Sequence, residues 1–146
     1  MTITAVAKTK VSIGGVTAGT DLTAYEAQTY TEIGEVSDIG EFGDEANVIT
    51  FETIGDGRVK KAVGTRDAGD LAITVARVDT DAGQIAARAA SKTSDHYDLK
   101  VVLATGETFY FTGPVSSAKN QFGGPNEVLQ TVFTVAISTA ITEVAA

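Results

Sequence analysis

The sequence contains no cysteine and no tryptophan, and it has a single histidine. Without cysteine the chain can form no disulfide, no thiolate metal site and no thiol nucleophile, which suits a protein that folds in a reducing cytoplasm. Long apolar runs are missing too. No stretch approaches the roughly 18 apolar residues of a membrane helix, and residues 1–15 lack the apolar core of a signal peptide. We therefore expect neither export nor a membrane anchor.

Positive charge is scarce. The 146 residues include 19 acidic and 11 basic side chains, for a net charge of −8. This charge favours solubility and repels nucleic acid over most of the surface, whereas a DNA-binding protein needs a stripe of basic residues. Hydrophobic residues make up 43% of the chain, enough for one domain with its own core. The composition therefore predicts a single acidic domain over residues 1–146.

Most of the chain alternates with the two-residue period of β-strands. Gly55-Asp56-Gly57 and Thr105-Gly106 predict tight turns between neighbouring strands. The longest run, residues 127–137, is neutral on both faces, which fits either a central strand or a surface packed against another subunit. Strands are predicted at 8–13, 29–36, 47–54, 71–78, 98–104, 107–112 with a continuation to 119, and 127–137.

One segment changes to a helical period. Residues 79–81 (Asp-Thr-Asp) can cap a helix, and apolar positions follow at helical spacing, namely Ile85, Ala86, Ala89, Ala90 and Thr93. We expect one α-helix at about residues 81–93, with an apolar face made mostly of alanine. The predicted fold is mainly β: a β-sandwich or partial barrel with this one flanking helix.

Three segments lack a clear strand period. Residues 1–28 are rich in Thr, Ala and Gly and are interpreted as an arm or edge segment whose order depends on a neighbour. Residues 37–44 are glycine-rich and acidic and predict a loop. Residues 55–69 combine turn-formers with four basic side chains and are interpreted as a long excursion between strands.

The residues that usually carry catalysis do not form a recognisable site. No serine lies in a nucleophile-elbow motif for which His96 could act as the catalytic base. We expect His96 to be exposed in a turn. Asp56, Asp79 and Asp81 lack the spacing of a calcium loop, and helix capping explains Asp79 or Asp81 more simply. No glycine-rich phosphate loop occurs. The sequence thus predicts no enzyme, no cofactor and no metal site.

Charge is segregated along the chain. No Lys or Arg occurs between Glu32 and Asp56, and Arg58, Lys60, Lys61 and Arg66 follow at once. Two interpretations remain open: two solvated loops of opposite sign, or a head-to-tail contact between copies. Complementary charge sets register and encounter rate, and a head-to-tail contact propagates into rings or stacks. The acidic residues before Asp56 are Glu32, Glu35, Asp38, Glu41, Asp44, Glu45 and Glu52.

Residues 29–75 resemble the lambda-type tail tube proteins of siphophages, above all in the segment IGDGRVKKAVGTRDAG. The similarity continues through DAGQIAARAA, YDLKVVLATGETFYFTGPVSSAKN and TVFTVAISTAI. The resemblance implies a tail-tube-like fold with one flanking helix. It also implies a homo-oligomer in which six subunits close a ring, their inner sheets join into a channel, and the rings stack into a tube.

The resemblance implies partners and contacts as well. Double-stranded DNA would pass through without specific binding, and a tape-measure protein and a tail terminator would be partners in a virion tail assembled in the host cytoplasm. Six copies at −8 carry about −48 per ring, a field that disfavours retention of DNA. In this view the seven acidic residues before Asp56 are candidates for an acidic lumen or a complementary contact. The candidates for contact between rings are Asp56, Arg58, Lys60, Lys61 and Arg66.

Two alternatives are kept. One is another ring-forming tail or secretion-tube component, such as a terminator, a baseplate ring or a contractile inner tube. The other is a β-sandwich module that binds carbohydrate or ions, which the lack of Trp platforms and of metal-ligand spacing disfavours.

Overall fold

The computed structural model describes residues 3–145. Within them the chain forms eleven strands and two helices. In chain order these are β1 (Lys10–Val16), α1 (Leu22–Ala27), β2 (Thr31–Ile33), β3 (Val36–Ile39), β4 (Glu45–Glu52), β5 (Val59–Asp67), β6 (Asp70–Ala76), α2 (Ala82–Ser91), β7 (Tyr97–Val102), β8 (Thr108–Gly113), β9 (Val115–Gln121), β10 (Gln130–Ala136) and β11 (Thr142–Val144).

Two antiparallel sheets enclose the core. The five-stranded sheet has the order β11-β8-β7-β1-β2 and the four-stranded sheet the order β3-β6-β10-β9, while β4 and β5 pair only with each other. The main hydrophobic cluster takes side chains such as Leu99 and Phe111 from the first sheet and Ile73 and Phe133 from the second. The predicted mainly β fold is confirmed, in the form of an open sandwich in which neither sheet closes into a barrel.

Strand β10 shows how the alternation builds this core. Thr131, Phe133 and Val135 are buried, whereas Val132 and Thr134 on the other face are partly exposed. The strand pairs with β6 on one side and β9 on the other, so it is a central strand of the sandwich. After β8 the chain passes through Gly113-Pro114 from the five-stranded sheet into β9 of the four-stranded sheet.

The helix predicted at 81–93 is α2, and its cap is the expected one. The Asp81 side chain accepts hydrogen bonds from the backbone N–H groups of Gln84 and Gly34, both at 3.0 Å. The buried face, however, differs from the predicted one: Gly83, Gln84, Ala87 and Ala90 are buried, and Ile85 is 49% exposed. A helix rich in alanine has little side-chain contrast between its faces, so the spacing predicted its axis but not its rotation.

Gln84 explains why this face turns inward. Its amide Nε2 donates to the carbonyls of Gly34 at 3.0 Å and Ala76 at 2.9 Å, and its Oε1 accepts from the Val78 N–H at 2.9 Å. A buried amide is stable when its donors and acceptor are matched. This side chain therefore joins α2 to the ends of β2 and β6.

The prediction that residues 1–28 form an arm or edge segment is wrong for residues 10–28. Strand β1 lies between β7 and β2 inside the five-stranded sheet, and Val11 and Ile13 are buried. The strand predicted at 8–13 is present as β1, but its place inside the sheet was missed, because the pattern of one short strand does not show how many neighbours it has. Residues 3–8 are exposed.

Helix α1 is a second helix that the sequence did not predict. Its Tyr25 is fully buried, and the Tyr25 ring stacks on Tyr110 with centroids 5.3 Å apart. Thr112 Oγ1 donates to Asp98 Oδ1 at 2.8 Å, so the Tyr25 hydroxyl must donate to Thr112 Oγ1, 2.9 Å away. This buried network fastens α1 to the outer face of the five-stranded sheet.

Three other predicted boundaries need correction. The strand expected at 29–36 is divided at Glu35, which has a positive φ of 56°, so that β2 and β3 enter different sheets. The loop expected from residue 37 therefore begins inside β3. The excursion at 55–69 contains the nine-residue strand β5. In the described chain no helix is both long and apolar enough to cross a membrane.

Candidate assembly surfaces

Strands β4 and β5 form a hairpin that the rest of the fold does not support. They constitute a separate two-stranded sheet, and no residue from 45 to 67 belongs to the hydrophobic core cluster. An isolated two-stranded hairpin is at best marginally stable in water. The hairpin nevertheless carries large exposed apolar side chains: Val48, Ile49, Phe51, Ile54, Val59 and Val63.

Both faces of the hairpin are partly apolar. Val48 opposes Val63 on one face, and Ile49 opposes Ala62 on the other, because directly opposed residues share a face and successive residues alternate. Phe51 is 67% exposed and Ile54, at the turn, is fully exposed. Neither face covers the core, so both remain available to other molecules.

The basic residues predicted for inter-ring contact do not form one patch. Lys61 opposes Thr50 and Lys60 opposes Phe51, so these adjacent lysines point to opposite faces. Arg66 opposes Ala46 near the base of the hairpin, and Arg58 is exposed next to the turn. The structure thus spreads the four cations over both faces and both ends of the hairpin.

Asp56 is already paired within its own chain. Its carboxylate lies 2.7 Å from Lys60 Nζ, and both side chains are largely exposed. The hydrogen bond from Lys60 holds the pKa of the Asp56 carboxyl below its usual value. Asp56 would therefore have to leave this ion pair before it could bind a cation of another copy.

All seven acidic candidates are exposed, but they lie in different places. Glu32 is on the edge strand β2, 3.8 Å from Lys10 Nζ, and Glu35 lies in the link to β3. Glu41, Asp44 and Glu45 line a cleft of about 590 Å³ at the base of the hairpin. The remaining two are Asp38 on β3 and Glu52 on β4.

The four-stranded sheet has one face that is turned away from the core, which we call the open face. Helix α2 lies on its other side, near Ala118 and Asn120. The residues of the open face are small or polar for the most part, and they are partly or fully exposed. They are Asp38, Asp70, Ala72, Thr74, Ala76, Ser117, Lys119, Gln121, Gln130, Val132, Thr134 and Ala136.

The outer face of the five-stranded sheet is different because α1 and its tyrosines cover it. Asp98, Thr112 and Tyr110 on that face are buried. Tyr30 lies at the margin of this covered face, and the Tyr30 hydroxyl donates a hydrogen bond to the Tyr25 carbonyl at 2.9 Å. Burial, and next the Asp98 carboxylate, raise the pKa of the Tyr30 hydroxyl above its ordinary value.

The edges of the four-stranded sheet are formed by β3 and β9, which each pair with one strand only. Unpaired edges expose backbone N–H and C=O groups that invite another strand. Of the seven acidic candidates only Asp38 lies on the open face of this sheet.

The residues considered for chemistry have structural partners. His96 is exposed, with Nδ1 3.0 Å from Ser138 Oγ, and Asp79 accepts from Arg77 Nε at 2.9 Å. Asp81 caps α2. Among residues 3–145 no cluster of three or more His, Cys, Asp or Glu side chains is arranged to hold a metal ion.

The apolar side chains of the hairpin are the assembly feature that the sequence analysis missed. Residues 47–54 were predicted as an ordinary strand, and strands normally place their β-branched and aromatic residues in a core. The signal was present, since Ile49 and Phe51 lie on one face of this strand and Val48 on the other, so that both faces carry apolar side chains. Periodicity alone does not say whether such a strand is buried.

The two open edges of the four-stranded sheet, its open face and an apolar hairpin outside the core are the surfaces of a subunit that assembles with other subunits. The family described as "Phage tail tube protein, TTP" matches residues 1–146, and the chain belongs to this family. It is a structural subunit of the bacteriophage tail tube and a component of the virion.

Solved structures share the fold at low sequence identity. The tail of an empty gene transfer agent particle, computed with helical refinement and C6 symmetry, is 17% identical with a TM-score of 0.65; the alignment covers 93% of this chain and 95% of the other. The SPP1 tail tube is 12% identical with a TM-score of 0.66 over 94% and 77%.

A third similar structure comes from a baseplate. The six-fold symmetrised baseplate of the anti-feeding prophage contains a chain with 10% identity and a TM-score of 0.71, covering 99% of this chain and 98% of that one. The comparison with curated protein sequences gave no match.

Proposed function

We propose that copies of this chain close into rings, that the four-stranded sheets join edge to edge to line a channel, and that the rings stack into the tail tube. The observation that carries this proposal is the four-stranded sheet itself. It has two unpaired edges and an open face, whereas the outer face of the five-stranded sheet is covered.

The strand directions are compatible with closure. Each neighbouring pair in the order β3-β6-β10-β9 is antiparallel, so β3 and β9 run in opposite directions. Rotation about an axis roughly along the strands preserves their directions, and β9 of one copy would therefore meet β3 of the next as an antiparallel pair. Antiparallel pairing is the slightly stronger arrangement, and it would remove both exposed edges.

A six-fold ring would give an open channel. The gene transfer agent tail has C6 symmetry, and six copies of a four-stranded sheet make 24 strands. Porins with about 16–18 strands already leave an aqueous channel. The open face would then be the lining, with Asp38, Asp70 and Lys119 as its charged residues, and Thr, Ser, Gln and Ala between them.

The lining suits passage of double-stranded DNA without specific binding. Each cation that contacts a phosphate adds affinity through counterion release, and the open face has one lysine per subunit. Net charge adds repulsion, about −48 for a ring of six, although at physiological salt this acts over only about 8 Å. A tape-measure protein and a tail terminator complete the proposed assembly, which forms in the host cytoplasm.

Stacking of rings is proposed for the β4–β5 hairpin. Its apolar side chains are exposed on both faces and would be buried if the hairpin inserted between subunits of the next ring. Lys61, Arg58 and Arg66 could then meet acidic groups such as Asp44 and Glu45 of that ring. Lys60 and Asp56 remain candidates for the same contact after separation of their ion pair.

The test is negative-stain electron microscopy of concentrated protein. Wild-type protein should form tubes with an axial channel, and a species that stays monomeric at all concentrations and salts would contradict the proposal. Phe51→Asp with Ile54→Asp should give rings that do not stack, because apolar burial between rings is lost. Val16→Asp with Leu22→Asp, at two exposed apolar residues of β1 and α1 that lie outside the hairpin and outside the edges of the four-stranded sheet, is the control and should still form tubes.

A single-ring component is the second candidate, favoured by the likeness to the baseplate chain. It would close a ring through the same edges but would not polymerise. Rings that never stack at any protein concentration, with the hairpin intact, would support this candidate over the tube subunit.

A further inference from the structure

A basic groove lies between helix α2 and strand β9. It has a volume of about 580 Å³ and is lined by Arg77, Arg88 and Lys92 together with Ile85, Ala89, Ser91, Ala118 and Asn120. No carboxylate lines it, although the protein carries a net charge of −8. Three of its eleven basic side chains meet in this one groove.

One of these cations is held rigidly. Arg77 Nη1 donates to Asn120 Oδ1 at 2.8 Å, and Arg77 Nε donates to Asp79 Oδ1 at 2.9 Å. Asp79 therefore offsets the charge of Arg77. Arg88 and Lys92 have no carboxylate among their salt-bridge partners in the described chain, and they carry the free positive charge of the groove.

The groove opens beside the unpaired edge of the four-stranded sheet. Ala118 and Asn120 of the edge strand β9 face the groove, and Lys119 between them lies on the open face and is exposed. Basic side chains thus stand on both sides of β9. We call Arg88, Lys92 and Lys119 the basic edge.

The opposite edge of the same sheet is acidic. Asp38 of β3 is exposed on the open face, opposite Thr74 of β6. Glu35 precedes this strand and Glu41 follows it, both exposed. Lys8 is a cation on this side, and it lines a small hollow with Asp38. We call Glu35, Asp38 and Glu41 the acidic edge.

We propose that the basic edge of one copy binds the acidic edge of the adjacent copy, and that this charge match sets the order and register of subunits around the ring. The partner is a second copy of this chain, since one sheet carries both complementary edges. The inference rests on the proposed ring, but it assigns residues to the lateral contact that are distinct from the hairpin residues assigned to stacking.

The charges would act on rate and register more than on final affinity. Complementary charged edges steer the encounter of two subunits and disfavour wrong pairings. Such steering raises association rates by about 10-fold to 1,000-fold at low salt. It would also prevent β9 from pairing with β9 or β3 with β3, because like charges would then face each other. Two-fold dimers, which would stop ring growth, are thereby disfavoured.

Disulfide crosslinking tests the contact directly, because the chain has no cysteine of its own. Asp38→Cys combined with Lys119→Cys should give, under oxidation, a ladder of covalent oligomers up to the full ring on a non-reducing gel. Within one subunit these positions lie three strand spacings apart, about 14 Å, beyond the roughly 7 Å that a disulfide can bridge. Ser117→Cys and Gln121→Cys in place of Lys119→Cys cover a register shift of two residues.

The control pair is Glu143→Cys with Lys119→Cys, since Glu143 lies on β11 at the edge of the other sheet. If rings are visible by microscopy but none of the Asp38 pairs gives more ladder than this control, the lateral assignment is wrong while the ring proposal stands. If wild-type protein never forms rings, the proposed function itself fails.

Charge reversal provides the second test. Lys92→Glu with Lys119→Glu should slow ring assembly at least about tenfold in low salt, with the defect shrinking in 1 M salt, where the screening length is about 3 Å. Adding Asp38→Lys with Glu35→Lys should restore the rate. Glu107→Lys with Glu143→Lys makes the same acidic-to-basic change away from the proposed contact and should not restore the assembly rate. Equal rates for the reversal variant and wild type, or rescue by the control pair, would overturn the charge match.

Discussion

At the scale of single residues, one close approach in the fold is between backbones. Gly83, in the first turn of α2, has no space for a Cβ, because such an atom would meet the backbone of Glu32 and Ile33. The helix and strand β2 therefore approach closely only because residue 83 is glycine.

Gly83→Ala should destabilise the protein, which reverses the usual effect in a helix. Alanine in place of a helical glycine normally stabilises by about 1 kcal/mol, whereas overpacking against backbone costs about 1–3 kcal/mol. Urea unfolding followed by circular dichroism measures the difference. Gly124→Ala is the control, since nothing lies within 4 Å of its Cβ position; a variant at Gly83 as stable as this control would contradict the packing.

Gln84→Leu should cost about 3 kcal/mol, because it leaves partly buried backbone groups of Gly34, Ala76 and Val78 without partners. The substitution keeps the volume of the side chain, so the loss reports hydrogen bonding and not a cavity. The midpoint of urea unfolding should fall at an unchanged slope. Gln121→Leu, at an exposed glutamine, should stay within about 0.5 kcal/mol of wild type.

The raised pKa of the Tyr30 hydroxyl predicts a loss of folding stability at high pH. Burial and Asp98 raise its pKa in the folded state above the ordinary value of 10.0, so the unfolded chain releases this proton first. The contribution of Tyr30 is therefore fully present below pH 10 and is lost as the pH rises above it. Tyr30→Phe should make the fall in unfolding free energy above pH 10 shallower, and a slope identical to wild type would contradict the assignment.

At the scale of elements, the β4–β5 hairpin stands apart from the other strands. Its backbone hydrogen bonds join only its own two strands, and its side chains are exposed on both faces. Local stability follows buried contacts, so the hairpin belongs to the least stable part of the free subunit.

Hydrogen exchange should reveal this difference. In free subunits the amides of residues 45–67 should exchange much faster than those of β6 and β10, which form the interior of the four-stranded sheet. In assembled tubes the hairpin amides should become slow, because neighbouring copies cover them. Equally fast exchange of the hairpin in both forms would contradict a role in stacking.

The sequence predicted elements best where side chains contrast strongly. Phe133 and Val135 alternate with Thr134, and β10 followed correctly, whereas the faces of α2 are both mostly alanine and its rotation was missed. In the hydroxyl-rich, glycine-rich segment up to residue 28, a short strand at 8–13 was predicted, but the central position that buries Val11 and Ile13 was missed. The helix that carries Tyr25 was missed as well. Their role depends on tertiary contacts that periodicity does not encode.

The candidate contact residues show the same limit. Lys60 and Lys61 were grouped because they are adjacent in sequence, yet adjacency in a strand places them on opposite faces. The basic groove was not predicted, because Arg77, Arg88 and Lys92 come together with β9 only through the packing of α2. The charge segregation from Glu32 to Arg66 was visible in the sequence, but its distribution over surfaces requires the fold.

At the scale of the whole molecule, the open face of this acidic protein carries few basic side chains. Lys119 is the one basic residue there, and it is also part of the proposed contact between subunits. In an assembled ring the lysine would therefore be engaged by Asp38, and the lining would offer few free cations to phosphate.

Thr74→Lys with Thr134→Lys should make assembled tubes retain duplex DNA. Both residues lie on the open face, and six copies would add twelve cations per ring. Retention should fall steeply as salt rises, as expected for counterion release, and cosedimentation of DNA with tubes would measure it. Ala27→Lys with Ala82→Lys, exposed on α1 and α2, gives the same net charge outside the proposed channel; equal retention by both variants would contradict the lining.

The even number of strands in the four-stranded sheet limits how such a channel can change in size. A fifth strand would leave both edges running in the same direction, and every joint between copies would become a parallel one. The width of the channel can therefore change by adding copies to the ring or by adding strands two at a time, as a hairpin. The number of strands around the channel, and with it the channel diameter, therefore changes only in even steps.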